Sequence, residues 1–224
     1  NRGTVAGNLV TASPANDTIT PLMALGAQIS LASTEGQRVV ALSDFYTGVR
    51  KTVMRPDEML VDIFFPAMAA NQRGAFIKLG LRRAQAISVV NAAVLLTFAA
   101  GDLSRLDSLH IVDAKITLGA VAPTIIHADL AQVHLIERKL DSAVMQKASE
   151  LAQQAATPID DVRSTAEYRK EMVRVCVHRA LRNIAAGTER QAFPRDPVLL
   201  WGENKATITR TLPDGLHHNR TIAI

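Results

Sequence analysis

The sequence predicts an α+β fold in which antiparallel strands come first and helices follow. Short β-rich segments separated by turn residues succeed one another up to about residue 121, and short connections between strands favour antiparallel sheets. Beyond about residue 140, apolar residues instead repeat with the 3.6-residue period of an amphipathic helix. A hydrophobic content of 48% and a charged content of 21% are typical of a globular protein with a core.

Residues 1–66 are predicted to form a first unit. It begins with a polar loop at residues 3–17, which are rich in Gly, Ser, Thr, Asn and Asp. The turn Thr34-Glu35-Gly36 separates two β-rich segments and predicts a hairpin. The other predicted elements are, in order, a helical turn at 21–25, the hairpin strands at 27–32 and 38–42, a capped short helix at 43–46, and a strand at 58–65 that Pro66 ends.

A second unit is predicted at residues 74–187, after a linker at 67–74. Its sheet is expected to contain three or four strands, at 76–81, 88–98, 106–112 and 115–121. Helices are expected at 141–156 and 165–186, the latter capped by Ser164 or Thr165 and ended by Gly187. On the last helix, the residues predicted to share the buried face are Tyr168, Met172, Val175, Cys176, Ala180 and Ile184, with Val173, Val177 and Leu181 beside it. Residues 188–224 are expected to be an extended tail or linker that ends in a strand-like segment at 221–224.

Composition argues against several classes of protein. No apolar run reaches the roughly 18 to 20 residues that span a bilayer, so no membrane span is predicted. The 25 basic residues are scattered and aromatic residues make up 4%, so nucleic-acid binding is not expected. The single cysteine cannot form an internal disulfide or hold an iron–sulfur cluster, which indicates a reducing compartment. A start at Asn1 without a leader predicts that the chain begins inside a longer protein.

The segment Thr4-Val5-Ala6-Gly7-Asn8 is the main candidate for chemistry. With Gly3, it places two glycines and an alanine within five positions, so several backbone N–H groups can approach a ligand closely. Thr11, Ser13 and Asp17 add short polar groups nearby. These groups suit a pyrophosphate or the hydroxyls of a cofactor, but on spacing alone an ordinary tight turn explains the segment better. The spacing matches neither a P-loop nor the Rossmann glycine pattern.

Other polar clusters have structural explanations. On an extended segment the adjacent His217 and His218 would point to opposite sides, and the remaining histidines are dispersed, so no metal site is expected. No Gly-x-Ser-x-Gly elbow is present, which argues against a Ser-His-Asp triad. Cys176 is predicted to be a small core residue. The cluster from Asp160 to Arg169 could be a catalytic carboxylate pair, but helix capping and ion pairing between the second sheet and its helices are favoured.

Four motifs in order resemble the flavoproteins of the xanthine dehydrogenase and carbon monoxide dehydrogenase family. Residues 3–14, with Asp17 and Pro21, are similar to its Thr-Ile-Gly-Gly-Asn-Leu…Ala-Ser-Pro…Asp motif, with Ala6 in place of one glycine. Residues 55–60 are similar to its Glu-Ile-Leu segment, and residues 76–83 to its Phe-x-Lys-x-x-x-Arg-Arg strand, which includes Arg82 and Arg83. Residues 160–169 resemble its Asp-Asp-x-Arg-x-Ser-x-x-Tyr-Arg signature.

The resemblance implies the rear lobe of a vanillyl-alcohol-oxidase-type FAD-binding domain, followed by an antiparallel sheet backed by helices. FAD would contact Thr4, Val5, Ala6, Gly7, Asn8, Thr11, Ser13, Asp17, Met59, Leu60 and Lys78. The family's other FAD motif, an Ala-Gly-Gly-Thr-like phosphate loop, has no counterpart here and is expected upstream.

The implied function is electron transfer in a cytoplasmic molybdenum hydroxylase. A large subunit would carry the molybdenum cofactor, and a small subunit or domain would carry two [2Fe-2S] clusters. Electrons would pass through FAD on this chain to NAD+ or another acceptor. Two alternatives stay open: a scaffold that joins the other subunits without FAD, and a stand-alone flavin oxidoreductase.

Overall fold

Two antiparallel sheets organise the chain, as the order of its β-rich segments predicts. The computed structural model describes residues 3–82, 85–102 and 105–191. By backbone contacts, residues 1–190 form one compact unit. Arg83, the tail beyond residue 191 with His217 and His218, and the strand-like segment at 221–224 lie outside the described residues.

The first sheet has three strands in the order β2-β1-β5, with β1 at Gln28–Ser33, β2 at Gly36–Ala41 and β5 at Met59–Phe64. Ser33 pairs with Gly36 across a two-residue turn, which confirms the predicted hairpin. Gly36 has a φ of +149°, a conformation that favours glycine. A bulge between Ser30 and Leu31 shifts the register of β1 against β5.

Short helices and a small ribbon surround this sheet. The helices are α1 at Val5–Val10, α2 at Ile19–Ala24 and α3 at Leu42–Phe45, and the ribbon pairs β3 at Tyr46–Gly48 with β4 at Lys51–Thr52. The predicted polar loop at residues 3–17 is therefore wrong in part. Thr4 caps α1 and Leu9 is fully buried, so one cap and one apolar anchor fix a helical turn in an otherwise polar segment.

The second sheet has four antiparallel strands in sequence order: β6 at Gln72–Gly80, β7 at Ser88–Phe98, β8 at Ile111–Gly119 and β9 at Ile126–His127. The predicted strands at 106–112 and 115–121 were wrong, because β8 is one strand and Leu106–Ser108 is a 3-10 turn. The predicted gap fell at Asp113 and Ala114, but both residues pair with β7, and Asp113 lies on the outward face of β8, where polar residues belong. The predicted linker also ends early, since β6 starts at Gln72.

Three helices cover the second sheet: α4 at Asp129–Leu135, α5 at Ser142–Ala155 and α6 at Ala166–Ala185. The sequence predicted α5 and α6 but not α4. Asp141 Oδ1 accepts a hydrogen bond from Val144 N at 2.8 Å, Thr165 caps α6, and Gly187 follows α6 with a φ of +62°. None of the helices in the described residues has the length and hydropathy needed to cross a membrane.

The buried face of α6 differs from the predicted one. Tyr168 is 47% exposed, whereas its neighbour Arg169 is buried. An aromatic residue is the ordinary choice for a buried position, but the guanidinium of Arg169 bonds the buried Ala120 carbonyl and the half-buried Asp161, partners that the sequence pattern does not reveal. The buried positions of α6 are Arg169, Val173, Cys176, Val177, Ala180, Leu181 and Ile184.

Two hydrophobic cores result. The first core lies between the first sheet and the short helices and contains Leu9, Ile19, Leu22, Met23, Ala27, Ile29, Leu31, Leu42, Phe45, Leu60 and Ile125. The second core lies between the second sheet and α4 to α6, with Phe98, Ile116 and Val177 among its fully buried members. Helix α2 packs on β7 and β8 and so joins the two cores.

A buried network of hydrogen bonds connects α2 to the second sheet. Thr20, Asn91 and Thr117 are each fully buried. Thr20 Oγ1 donates to Asn91 Oδ1 at 2.6 Å, and Thr117 Oγ1 donates to the Thr20 carbonyl at 2.9 Å. Asn91 pairs with Gly119 across the sheet, so the network requires a residue without a side chain at position 119.

An ion pair holds the turn that precedes β5. Glu58 accepts hydrogen bonds from Arg38 Nε at 2.6 Å, from Arg38 Nη2 at 2.9 Å and from the backbone N–H of Arg55 at 2.7 Å. Arg38 Nη2 also donates to the Val53 carbonyl at 2.8 Å. The hydrogen bonds from Arg38, and then that from Arg55, outweigh burial and lower the pKa of Glu58 to about 2.

We expect Glu58→Gln to destabilise the protein at neutral pH and to flatten its stability against pH. Because the pKa of Glu58 is lower in the folded state than its ordinary 4.5, its contribution is complete above about pH 4.5 and is lost as the pH falls toward 2. Urea unfolding of both proteins across that range measures the difference. Glu35→Gln, at the exposed hairpin turn, is the matched control. A stability deficit of Glu58→Gln that stays constant down to pH 2 would contradict this assignment.

Candidate functional site

The motif at residues 4–11 forms a closed local structure around α1. Gly7 N donates to Thr4 Oγ1 at 2.9 Å, and Thr11 Oγ1 donates to the Gly7 carbonyl at 2.6 Å. A Cβ on Gly7 would lie 3.0 Å from Thr4 Oγ1, so a glycine lets the cap close. Ala6 has an ordinary helical backbone, which explains why alanine is compatible with this position. Thr4, Val5, Gly7 and Thr11 are exposed, while Leu9 anchors the other face in the first core.

Asn8 folds the following segment back onto α1. Its Oδ1 accepts a short hydrogen bond from Thr18 Oγ1, and its carbonyl accepts one from Asn16 Nδ2 at 2.5 Å. Tyr46 OH donates to the Leu9 carbonyl at 3.2 Å from the other side. Burial raises the pKa of Tyr46, which keeps its hydroxyl protonated as a donor. The site motif is thus fixed by its own side chains and by the ribbon of β3 and β4.

Asp17 connects this segment to the second sheet. Its carboxylate forms a short ion pair with Lys78 Nζ on β6 and accepts a hydrogen bond from Ser88 Oγ at 2.6 Å. Lys78 Nζ also donates to the Ala86 carbonyl at 2.7 Å. The structure therefore brings together two predicted site residues, Asp17 and Lys78, and adds Ser88, which sequence reasoning missed.

Met59 and Leu60 lie at the start of β5. Leu60 is 9% exposed and belongs to the first core, together with Leu9 of the motif. Met59 is 68% exposed on the opposite face of the strand. The two residues predicted to line a flavin ring thus have opposite environments, and Met59 alone offers an accessible side chain.

A cavity of about 590 Å³ lies beside the motif segment. Four predicted residues line it, namely Asn8, Thr11, Ser13 and Asp17. The walls opposite them come from Arg50 and from the segment after α5. The other lining residues are Pro14, Ala15, Asn16, Val49, Arg50, Ala86, Ile87, Ala120, Ala122, Pro123, Thr157, Pro158, Ile159, Asp161, Arg163 and Arg169.

An arginine–carboxylate cluster forms one wall of this cavity. Asp161 pairs with Arg163 at 2.6 Å and with Arg169 at 2.5 Å. Burial favours a higher pKa for Asp161, but hydrogen bonds from Arg163 and Arg169 outweigh it and hold the pKa below its usual range. Asp160 Oδ1 accepts from the backbone N–H of Ala166, and Arg169 Nη1 donates to the Ala120 carbonyl at 3.0 Å. The cluster thus caps α6 and pairs its first turn with the preceding loop, in line with the favoured interpretation, while its link to the end of β8 is a hydrogen bond and not an ion pair.

Unusual backbone conformations concentrate around the cavity. Arg50 and Ala120, which line it, have φ values of +55° and +64°. Ala12 and Gln85, each next to a lining residue, have φ values of +51°. Such conformations cost free energy in residues other than glycine and often occur where a binding site needs a fixed geometry. No spacing in the sequence signals them, because alanine, arginine and glutamine do not mark a left-handed backbone.

Metal binding has no support in this region. Within residues 3–82, 85–102 and 105–191, the side chains of His, Cys, Asp and Glu do not assemble in groups of three that could hold a metal ion. Cys176 is buried in the second core, as predicted, and burial raises the pKa of its thiol to about 11.

Comparisons with known proteins agree with the order of the motifs. A family model of the FAD binding domain in molybdopterin dehydrogenase matches residues 1–68. A model of the CO dehydrogenase flavoprotein C-terminal domain matches residues 75–184.

Among curated relatives, the carbon monoxide dehydrogenase medium chain of Afipia carboxidovorans is 34% identical over 82% of this chain and 61% of its own length. The xanthine dehydrogenase FAD-binding subunit of Escherichia coli is 26% identical over 83% of this chain and 61% of its own. The chain thus spans about three fifths of the length of these relatives.

Solved structures of the same kind share the fold. A crystal structure of Cu,Mo-CO dehydrogenase in a cyanide-inactivated form matches with a TM-score of 0.73 and 34% identity, over 82% of this chain and 61% of that chain. Quinoline 2-oxidoreductase from Pseudomonas putida matches with a TM-score of 0.74 and 28% identity, over 84% and 62% respectively.

Proposed function

Because this chain belongs to the family of FAD-binding medium subunits of the carbon monoxide dehydrogenase and xanthine dehydrogenase type, we propose that it is the FAD-carrying electron-transfer component of a molybdenum hydroxylase. The observation that carries the proposal is the cavity shared by Asn8, Thr11, Ser13 and Asp17. These four residues belong to the motif that resembles the family's FAD-contacting segment, and they converge on one space.

The residues around this cavity suit the polar part of FAD. Thr11 and Ser13 offer hydroxyl groups, and Gly7 leaves the exposed side of α1 free of a side chain. Arg50 lines the cavity, and within the described residues its guanidinium pairs with no carboxylate, so it can balance a phosphate charge. A volume of about 590 Å³ lies within the usual range for ligand pockets and suits a portion of the cofactor.

Residues 4–8 would hold the pyrophosphate or ribityl region, and Asp17 would add a polar contact. The exposed side chain of Met59 and the backbone beside the buried Leu60 would line the flavin ring, with Lys78 as a nearby positive charge. Because Asp17 already pairs with Lys78, this charge is partly balanced, and its effect on the anionic reduced flavin is smaller than that of a free amine. FAD, when bound, would supply the capacity to accept and release electrons.

The wider assembly follows from the same proposal. The partners would be a large subunit with the molybdenum cofactor and a small subunit or domain with [2Fe-2S] clusters, and electrons would leave to NAD+ or another acceptor. The chain would comprise the rear lobe of a vanillyl-alcohol-oxidase-type FAD domain at 1–66, a C-terminal α+β domain at 74–187 and a tail at 188–224. A cytoplasmic location stays a prediction.

The flavin spectrum tests the proposal. The purified full-length protein should be yellow and should release flavin on denaturation. A colourless protein that cannot take up added FAD would favour a scaffold that joins the other subunits. If the protein oxidises an organic substrate without any partner subunit, that result would favour a stand-alone flavin oxidoreductase.

The double variant Asn8→Ala with Asp17→Ala tests the site itself. We expect its FAD content to fall about tenfold or more, because two anchors of the motif segment are lost together. Circular dichroism should show an unchanged fold. Asp44→Ala, which removes an exposed carboxylate of α3 away from the cavity, should retain FAD like the parent protein. Equal FAD retention by the double variant and the control would reject this site while leaving the cofactor assignment intact.

A further inference from the structure

Arg169 is an unusual residue to bury. Its side chain is 5% exposed, and its Nε has no hydrogen-bond partner. Burying a charged group costs free energy unless it is fully paired, and a buried donor without a partner adds to that cost. An apolar residue at this position would therefore pack α6 against the sheet at least as stably as the arginine does. The two hydrogen bonds that Arg169 does make point to a geometric role.

One of these bonds leads to a strained residue. Arg169 Nη1 donates to the carbonyl of Ala120, just after β8. Ala120 has a φ of +64°, a left-handed conformation that is unfavourable for alanine. Arg169 Nη2 bonds Asp161 at the same time, which fixes the plane of the guanidinium. The buried arginine thus favours the conformation in which the Ala120 carbonyl points toward it.

The backbone N–H of Ala120 connects this residue to the motif segment. The N–H of Ala120 donates to the Pro14 carbonyl at 2.7 Å. Pro14 follows Ser13 and precedes Asp17, and all three residues line the cavity. Hydrogen bonds therefore run without interruption from α6, through Ala120, to the middle of the segment at residues 12–17.

We propose that Arg169 and Asp161 are positioning residues for the cofactor site, acting through Ala120 on the segment at 12–17. This inference rests on the proposed function, because the segment is assigned to FAD there. The signature at residues 160–169 then has a role beyond helix capping. Through hydrogen bonds it fixes the cofactor-binding residues relative to α6. Neither arginine nor aspartate needs to touch the cofactor for this role.

Substitutions at Arg169 test the inference. In the full chain, Arg169→Met removes both hydrogen bonds with little change in volume, and Arg169→Lys keeps the charge but cannot bridge Ala120 and Asp161 in the same way. We expect Arg169→Met to raise the Kd for FAD about tenfold and to change the visible circular dichroism of bound flavin. Arg169→Lys should give an intermediate value. Asp161→Asn should shift the Kd in the same direction by a smaller factor.

Arg174→Met is the matched control. Arg174 lies on the same helix and pairs with Glu171, its Nε at 3.1 Å from the carboxylate, but it does not line the cavity. Its loss should leave the Kd within about twofold of the parent value. Equal effects of Arg169→Met and Arg174→Met on FAD, or a loss of stability in both Arg169 variants with unchanged FAD affinity and spectrum, would overturn the inference.

Amide hydrogen exchange separates the inference from the proposed function. We expect the amides of Ala120 and of residues 12, 13 and 15–17 to exchange faster in Arg169→Lys than in Arg174→Met, whether or not FAD is present. If the parent protein holds no FAD, the proposed function fails, and exchange alone then decides the positioning role. Equal exchange in the two variants at these residues would contradict it.

Discussion

Replacement of Gly119 by alanine is expected to destabilise the protein by about 3 kcal/mol, at the upper end of the usual cost of overpacking a core. A Cβ at this position would lie 2.2 Å from Asn91 Oδ1 and 2.6 Å from Thr20 Oγ1. Both atoms are buried and share a hydrogen bond, so neither can move without breaking the network that joins α2 to the second sheet. Asn91 Nδ2 is buried without a hydrogen-bond partner. Any rearrangement that also costs Asn91 Oδ1 its bond would therefore leave both polar atoms of this amide unsatisfied.

Chemical unfolding of the variant beside Gly74→Ala measures this effect. Gly74 lies on β6 of the same sheet, where a Cβ would meet its nearest neighbours, Leu95 and Val94, at 3.5 Å, an ordinary contact distance. We expect Gly74→Ala to change stability by less than about 1 kcal/mol. Similar unfolding free energies for the two variants would show that the side chains around Gly119 can repack.

Leu9→Ala is expected to cost about 2 to 5 kcal/mol, the usual range for deleting a fully buried leucine. Leu9 is 0% exposed and is the single buried residue of α1, and only the partly buried Ala6 joins it in packing this helix on the first core. Its loss should also lower FAD retention, because the backbone of α1 carries the groups proposed to contact the cofactor. Unfolding free energy and flavin content, measured on the same preparation, report the two effects.

Val10→Ala is the control for this substitution. Val10 follows Leu9 in the same helix but is 38% exposed, and alanine has the higher helix propensity. We therefore expect a change within about 0.5 kcal/mol and normal flavin content. A loss of stability as large as that of Leu9→Ala would mean that α1 is not anchored through its buried leucine.

Periodicity predicted much of the fold. The hairpin of β1 and β2, strands β5 and β7, and helices α5 and α6 follow from alternation, turn residues and caps, since these signals are local. Helix α1 was missed because its stability comes from one cap and one distant core contact. Strand β8 was predicted as two segments, ending at residue 112 and beginning at residue 115, and only its pairing with β7 shows one continuous strand.

The candidate site was predictable to a lesser degree. Family order singled out Asp17 and Lys78, and the structure places them in one ion pair. Ser88, Arg50 and the path from Arg169 through Ala120 to Pro14 were not predictable, because each depends on a long-range contact or a backbone conformation that leaves no local pattern. Arg169 was noticed as part of a motif, but its link to the segment at 12–17 requires the tertiary structure.

The buried Cys176 gives the protein an internal chemical reporter of local opening. It is the one cysteine in the sequence, and it lies on the face of α6 that contacts the second core. The thiol is buried, and burial also raises its pKa to about 11, so we expect thiol reagents to reach and attack it only after α6 separates from its neighbours. The rate at which such a reagent labels the native protein therefore measures how often that helix detaches.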